Sequence, residues 1–305
     1  MSETDQPNAT RSGFVTMIGA PNAGKSTLVN QLVGAKVSIV THKVQTTRAL
    51  VRGIATVDNA QIVFTDTPGI FAPKRRLDRA MVTTAWSGAR DADVVLVLID
   101  ARKGVREDEE RMLEMLGSVR QPKYLVLNKV DTVEPPVLLE LAKTLNERIA
   151  FDETFMISAL NGSGCDDLLN ALARTVPEGP WYYPEDQISD LPMRQLAAEI
   201  TREKLYLRLH QELPYASTVE TEKWEERKDG SVRIDQVVYV ERDSQKKIVL
   251  GHKGETIKAI GASARKDIAE ILEQPVHLFL FVKVRGNWGN DPERYQQMGL
   301  DISDG

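Results

Sequence analysis

The octapeptide Gly19-Ala20-Pro21-Asn22-Ala23-Gly24-Lys25-Ser26 constrains this chain more than any other stretch. It follows a short apolar run at 14–18 and opens a segment at 25–33 with helical periodicity. The pattern G-x-x-x-x-G-K-[ST] in that context makes the backbone turn its N–H groups toward phosphate oxygens. The partial positive charge of a helix N-terminus adds to them. Lys25 is then expected to reach the β- and γ-phosphates of a nucleotide, and the Ser26 hydroxyl to ligate Mg2+, with Thr27 following in the same turn.

The surroundings repeat the same rhythm. Strands are expected at 14–18, 49–56, 61–65, 94–99, 124–127 and 154–157, and helices at 25–33, 78–90, 107–116, 136–149 and 166–175. Strand–helix alternation implies a mostly parallel sheet with helices on both faces. Asp58-Asn59 joins the second and third strands as a hairpin, which makes one pairing antiparallel. The expected fold is an α/β P-loop domain with a mostly parallel six-stranded sheet, spanning 13–176, after a disordered tail at 1–12.

Two motifs select the base. Asn128-Lys129-Val130-Asp131 follows the strand at 124–127, at the carboxyl edge of the sheet where open α/β folds bind ligands. The Asp131 carboxylate can accept from the N1–H and exocyclic amine of guanine; adenine offers no such donor pair, and an unpaired buried carboxylate is costly. Ser158-Ala159-Leu160, after the next strand, is expected to offer backbone N–H groups to guanine O6.

Asp66-Thr67-Pro68-Gly69 supplies the remaining phosphate chemistry. Asp66 is expected to hold Mg2+ through water and the Gly69 N–H to sense the γ-phosphate. In Gln45-Thr46-Thr47-Arg48 a threonine can close over the metal, and Thr47 is preferred to Thr46.

These motifs, in this order, give residues 14–175 a resemblance to translation-factor-class GTPases of the TrmE and Era group. The resemblance implies that 45–48 and 70–77 are switch regions ordered by the γ-phosphate. Ras-type enzymes place a water-orienting glutamine after D-x-x-G; here the residue is Ile70, which implies a hydrophobic-substituted subclass with slow turnover. TrmE-group relatives use an asparagine in the phosphate loop to hold K+ in place of an arginine finger. Asn22 is thus a candidate K+ ligand and, with Lys25, Thr47 and Gly69, a candidate catalytic residue. The alternative is that Asn22 only braces the loop. Arg48, Arg75 and Arg76 lie near the switches, and none can be chosen as a finger from sequence.

Prolines at 177, 180, 184 and 192, with an aromatic cluster between them, break the alternation and suggest a linker at 177–192. Beyond it, over 193–305, the order changes to helix, strand, strand, short helix, glycine loop, long helix, strand. Gly251-His252-Lys253-Gly254 lies between the last two helices. From Arg242 to Lys266 seven basic residues face two acidic ones, a local charge of +5 in a chain whose net charge is −5. That order and loop resemble a type II KH domain, in which the glycine loop clamps a nucleic-acid backbone. Lys246, Lys247, Lys253 and Lys258 are expected to neutralise phosphates. Ile248, Val249, Ile257 and Ile260 are expected to be core.

LPYASTVE, VERDSQKKIVLGHKGETIKAIG, ARKDI and PVHLFLFVKV extend the resemblance to the Era family of bacterial ribosome-assembly GTPases over residues 14 to about 300. It implies GTP-gated binding to small-subunit (16S) ribosomal RNA near its 3′ end, assistance to 30S subunit assembly, and loose association with the inner membrane surface. The protein is expected to be monomeric and cytoplasmic. Its single cysteine, Cys165, allows no intramolecular disulfide, and its polar N-terminus has no secretory pattern. The rival readings are a membrane-associated or cell-cycle regulatory GTPase and a passive RNA-binding protein with a dead nucleotide site. Intact Lys25, Ser26, Asp66 and Asp131 oppose the last.

Overall fold

The computed structural model describes residues 9–43, 46–73, 75–210, 213–286, 298 and 300. The first domain runs β1 (Arg11–Gly19), α1 (Lys25–Val33), β2 (Val51–Val57), β3 (Ala60–Asp66), α2 (Arg76–Asp91) and β4 (Val94–Asp100). It continues with α3 (Glu107–Leu116), β5 (Lys123–Asn128), α4 (Pro135–Arg148), β6 (Glu153–Ile157) and α5 (Cys165–Thr175). The sheet order is β2-β3-β1-β4-β5-β6, parallel except for the β2–β3 hairpin.

Alternation along the strands explains the layers. In β4, Val94, Leu96 and Leu98 pack toward Leu28 of α1 and Leu172 of α5. Val95, Val97 and Ile99 pack toward Trp86 of α2, Met112 of α3 and Leu145 of α4. Burial on both faces leaves the carboxyl edge as the place for loops that bind ligand, and the phosphate loop and the guanine motif both emerge there.

Two expectations change at the ends of this domain. Arg11 and Ser12, assigned to a disordered tail, belong to β1, because the Arg11 N–H donates to the Asn59 carbonyl at 2.9 Å. The expected linker is an ordered strap along the β1–β3–β2 side of the sheet. The Ser12 N–H donates to the Pro177 carbonyl at 3.0 Å, and the Ile54 N–H to the Ile188 carbonyl at 2.9 Å. Gln61, fully buried, accepts from the N–H groups of Tyr182 at 2.9 Å and Tyr183 at 3.0 Å. Prolines prevent a helix here, but their carbonyls still accept, so the segment docks in extended form.

The second domain comprises α6 (Met193–Arg208), β7 (Ser217–Glu226), β8 (Val232–Val240), α7 (Asp243–Leu250), α8 (Glu255–Leu272) and β9 (Val276–Val284). Its sheet order is β7-β8-β9, with β7–β8 antiparallel and β8–β9 parallel. The helices cover one face. Ile200 and Leu205 of α6 and Ile260 and Ile268 of α8 pack on Ile234 and Val238 of β8. Leu300 and Met298 pack on Leu77 and Met81 of α2 in the first domain, and Met298 also borders a cavity with Arg194 and Ala198 of α6. Among the described residues no helix is long and apolar enough to cross a membrane.

Candidate functional site

The phosphate loop fills the gap between the end of β1 and the start of α1. Gly24 sits at φ 105°, and a Cβ there would lie 2.2 Å from Asn128 Nδ2, so only glycine fits. Lys25 folds back over the loop, its Nζ donating to the carbonyls of Gly19 at 3.0 Å and Ala20 at 3.2 Å. Burial pushes its ammonium down to about 8, against the opposing charge of Asp66. A phosphate placed there favours the charged form.

The three expected metal ligands converge. Ser26 Oγ donates to Asp66 Oδ2 at 2.7 Å, Thr47 Oγ1 donates to the same oxygen at 3.1 Å, and the two hydroxyls are 2.9 Å apart. Thr46 turns away, pairing with Thr41 Oγ1 at 2.6 Å and donating to the Lys43 carbonyl at 2.8 Å. Gln45 lies outside the described residues. Asp66 is completely buried, and its Oδ1 has no hydrogen-bond partner among the described residues. Burial pushes this carboxyl up, while the hydroxyls of Ser38, Ser26 and Thr47 and the charge of Lys25 favour its ionised form. A buried carboxylate with a spare oxygen beside two hydroxyls is a hard-oxygen donor set that fits Mg2+.

The Asp66–Gly69 turn lies against the phosphate loop. The Ile70 N–H donates to the Gly19 carbonyl at 3.0 Å, and the Thr67 hydroxyl donates to the Met17 carbonyl at 2.6 Å. A Cβ at Gly69 would come within 3.0 Å of Pro21. Pro68 continues this turn, and the Ile70 side chain goes into the core with Trp86 and Val97. Asn22, at φ 65°, donates from Nδ2 to the His42 carbonyl at 3.1 Å and accepts on its own carbonyl from Lys129 Nζ at 2.6 Å.

Asn128 joins this half to the base side. Its Nδ2 donates to the Ala23 carbonyl at 2.8 Å, and its Oδ1 accepts from the N–H groups of Lys129 at 2.8 Å and Ala159 at 3.0 Å. Next to it lies a cavity of about 210 Å3 bounded by Gly24, Thr27, Arg102, Lys129, Asp131, Ala159 and Leu160. Asp131 stands exposed at its rim. Lys129 also bonds Asp100 Oδ2 at 2.7 Å. Burial alone would push the Asp100 carboxyl up; hydrogen bonds from Arg102 and Lys129 more than offset it and hold it at about 2. The amides of 158–160 differ in their present partners. The Ala159 N–H is donated to Asn128 and the Ser158 N–H to the Ser163 carbonyl at 2.9 Å, so these two amides already have acceptors within the protein.

The second domain presents its glycine loop between α7 and α8. Gly251 has φ 74°, and a Cβ there would lie 2.2 Å from Thr256 Oγ1. His252, Lys253, Lys247 and Lys258 are exposed, Lys246 is half-buried, and Gly254 starts α8 in a left-handed conformation at φ 81°. A groove of about 590 Å3 beside the loop is lined by Arg208, Leu209, His210, Leu213, Gln245, Ile248 and Thr256. Val249 and Ile260 are core, as expected. Ile248 is not: at 58% exposure it borders the groove, because α7 is a short helix with a single buried residue, Val249.

The two domains touch at Val40, Lys43 and Thr46, in and just before the first expected switch region, 45–48 (switch I). The Val40 N–H donates to Glu203 Oε1 at 2.9 Å, and Lys43 Nζ to the carbonyls of Tyr206 and Leu209. Arg48, 2% exposed, donates to the carbonyls of Ser217 at 2.9 Å and Tyr215 at 3.0 Å. Its donors therefore serve the domain interface and not a phosphate, while Arg75 and Arg76 are exposed at the start of α2. Sequence reading missed Ser38, Asp100, Arg202 and Glu203. Only Asp100 left a trace, as the polar end of a long aliphatic run.

Comparison with known proteins agrees with this geometry. A family described as 50S ribosome-binding GTPase matches residues 14–129, and the KH domain family matches residues 212–289. GTPase Era of Brucella suis is 79% identical over 96% of this chain and 94% of its own. GTPase Era of Mesorhizobium japonicum is 76% identical over 98% of this chain and 97% of its own. A crystal structure of Era in complex with MgGDPNP and nucleotides 1506-1542 of 16S ribosomal RNA superposes with a TM-score of 0.90 at 38% identity, covering 95% of this chain and 99% of that one. A single-residue variant of Aquifex aeolicus Era bound to GDP.AlF4- gives a TM-score of 0.89 at 38% identity over the same shares. With its P-loop GTPase domain, its KH domain and relatives of this identity along nearly its whole length, the chain belongs to the GTPase Era family.

Proposed function

We propose that this chain is a GTP-hydrolysing switch that binds 16S ribosomal RNA near its 3′ end through the KH domain and assists 30S subunit assembly. The observation that carries this reading is the bonding of Thr46 in switch I, and of Val40 and Lys43 just before it, to Arg202, Glu203 and the Tyr206 carbonyl of α6, the first helix of the KH domain, and to the Leu209 carbonyl at its end. Whatever reorders Thr47 around a nucleotide must also act on those bonds.

In the reaction, Lys25 and the loop amides hold the β- and γ-phosphates, and the Asp131 carboxylate and the Leu160 amide read guanine. When bound, Mg2+ neutralises charge on the phosphate oxygens; Ser26, Thr47 and, through water, Asp66 hold it. Ile70 offers water no hydrogen bond, so intrinsic turnover is slow. Asn22 uses its nitrogen on His42, and its side-chain oxygen is the atom suited to a K+ ion beside the phosphates. The protein works in the cytoplasm as a monomer, with loose contact at the inner membrane surface.

Anisotropy of a labelled RNA matching the 3′ end of 16S rRNA tests the binding half. The double variant His252→Asp/Lys253→Asp puts negative charge against the RNA backbone and should lose about a hundredfold in affinity while keeping GDP binding. Wild-type RNA affinity and salt slope in that variant would remove the glycine loop from the reading.

A further inference from the structure

We propose that Ser38 is a positioning residue for the Mg2+ group, and that Glu203 of the KH domain holds the segment carrying it. The inference rests on the reading of Asp66 as the metal-side carboxylate.

Ser38 lies between α1 and switch I, in a stretch that none of the nucleotide motifs covers. Its hydroxyl donates to Asp66 Oδ2 at 2.6 Å, shorter than the bonds from Ser26 at 2.7 Å and Thr47 at 3.1 Å. Only 2% of Ser38 is exposed, so water does not compete for that bond.

The backbone around it is clamped by one side chain. Asn30 Oδ1 accepts from the N–H groups of Val37 and Ser38, both at 2.9 Å, and Asn30 Nδ2 donates to the Ser38 carbonyl at 2.8 Å. Asn30 stands on α1, the helix that the phosphate loop opens, so Ser38 is fixed in the frame of the loop itself.

The consequence concerns Asp66. Ser26 and Thr47 are needed as ligands, and their oxygens must turn to the ion. Ser38 has no such task and remains as the permanent donor to Oδ2. With Oδ2 held by Ser38, the Asp66 carboxylate keeps its orientation while the Ser26 and Thr47 hydroxyls are free to turn to an ion. Removing Ser38 leaves the carboxylate orientation to the two ligands alone.

Glu203 grips the stretch on both sides of Ser38. Its Oε1 accepts from the Val40 N–H at 2.9 Å, and its Oε2 takes Lys36 Nζ at 2.7 Å. Lys36 also meets Asp267 of α8 at 3.5 Å. Docking of the KH domain thereby stiffens the segment that aims Asp66.

The test uses the full chain and the retention of a fluorescent methylanthraniloyl-GDP as MgCl2 is varied. Ser38→Ala should raise the Mg2+ concentration for half-maximal retention about tenfold, the usual size of a lost hydrogen bond to a charged group. Ser38→Thr, which keeps the hydroxyl, should restore most of it, and Glu203→Gln should raise it roughly threefold. In EDTA all variants should bind the nucleotide as wild type does, which shows that they are folded. An unchanged midpoint for Ser38→Ala, or an equal loss with and without Mg2+, overturns the inference. A wild type whose retention ignores Mg2+ overturns the metal reading of Asp66 and this inference with it.

Discussion

Arg202 donates to the Thr46 carbonyl at 2.6 Å from a side chain that is 2% exposed, so a helix of the KH domain holds the residue next to Thr47, the threonine proposed to ligate Mg2+. The guanidinium is in turn oriented by Glu199, which bonds its Nε at 2.9 Å, and it packs over the Tyr206 ring with Arg48 5.6 Å from the same centroid. Arg202→Ala removes the charged donor and leaves the Thr46 carbonyl without it. Hydrogen exchange across 40–48 should accelerate by about tenfold or more. Wild-type protection of that segment in the variant would mean that the KH domain does not order switch I.

The proposed function assigns base choice to the Asp131 carboxylate at the rim of the cavity beside Asn128. Asp131→Asn exchanges an acceptor for an amide, and xanthine carries a carbonyl where guanine carries its amine. The variant should bind XDP and lose GDP by roughly two orders of magnitude, the cost of leaving a site's polar group mispaired. Direct titration with both nucleotides measures it, and GDP affinity equal to wild type would dismiss Asp131 as the reader.

K+ dependence separates the two roles open to Asn22. As a cation ligand it should make single-turnover GTP hydrolysis several times faster in K+ than in Na+ at equal ionic strength, and Asn22→Ala should abolish the difference. As a brace through the His42 carbonyl it should affect both salts alike. Equal wild-type rates in the two salts would return the search to other sources of positive charge. Arg48 is a poor one, because it is buried and its Nη1 and Nη2 groups donate to the Ser217, Tyr215 and Pro214 carbonyls.

Most of the nucleotide half of the site is legible because the motifs at 19–26, 66–69, 128–131 and 158–160 each follow a strand, and strand ends are read from short apolar runs. Ser26, Thr47 and Asp66 come from three separate segments of sequence and meet within 3.1 Å. What stayed hidden depends on contacts between distant segments. Ser38 has no local signature; it matters because Asn30 folds the chain over Asp66. Glu203 and Arg202 read as ordinary charges on an amphipathic helix until the domains are docked. The strap at 177–192 looked like a linker because prolines signal the absence of a helix and say nothing about packing. Ile248 looked like core by spacing, yet α7 is too short to bury more than Val249.

In the proposed function, nucleotide chemistry in the first domain answers to RNA held by the second. The most direct measurement is single-turnover GTP hydrolysis by the full chain with saturating RNA from the 3′ end of 16S rRNA or with 30S subunits, for wild type and for His252→Asp/Lys253→Asp. RNA should speed hydrolysis severalfold in wild type and leave the variant at its slow basal rate. A wild-type rate indifferent to RNA, or equal acceleration in the variant, would show that RNA on the KH domain does not control the nucleotide site.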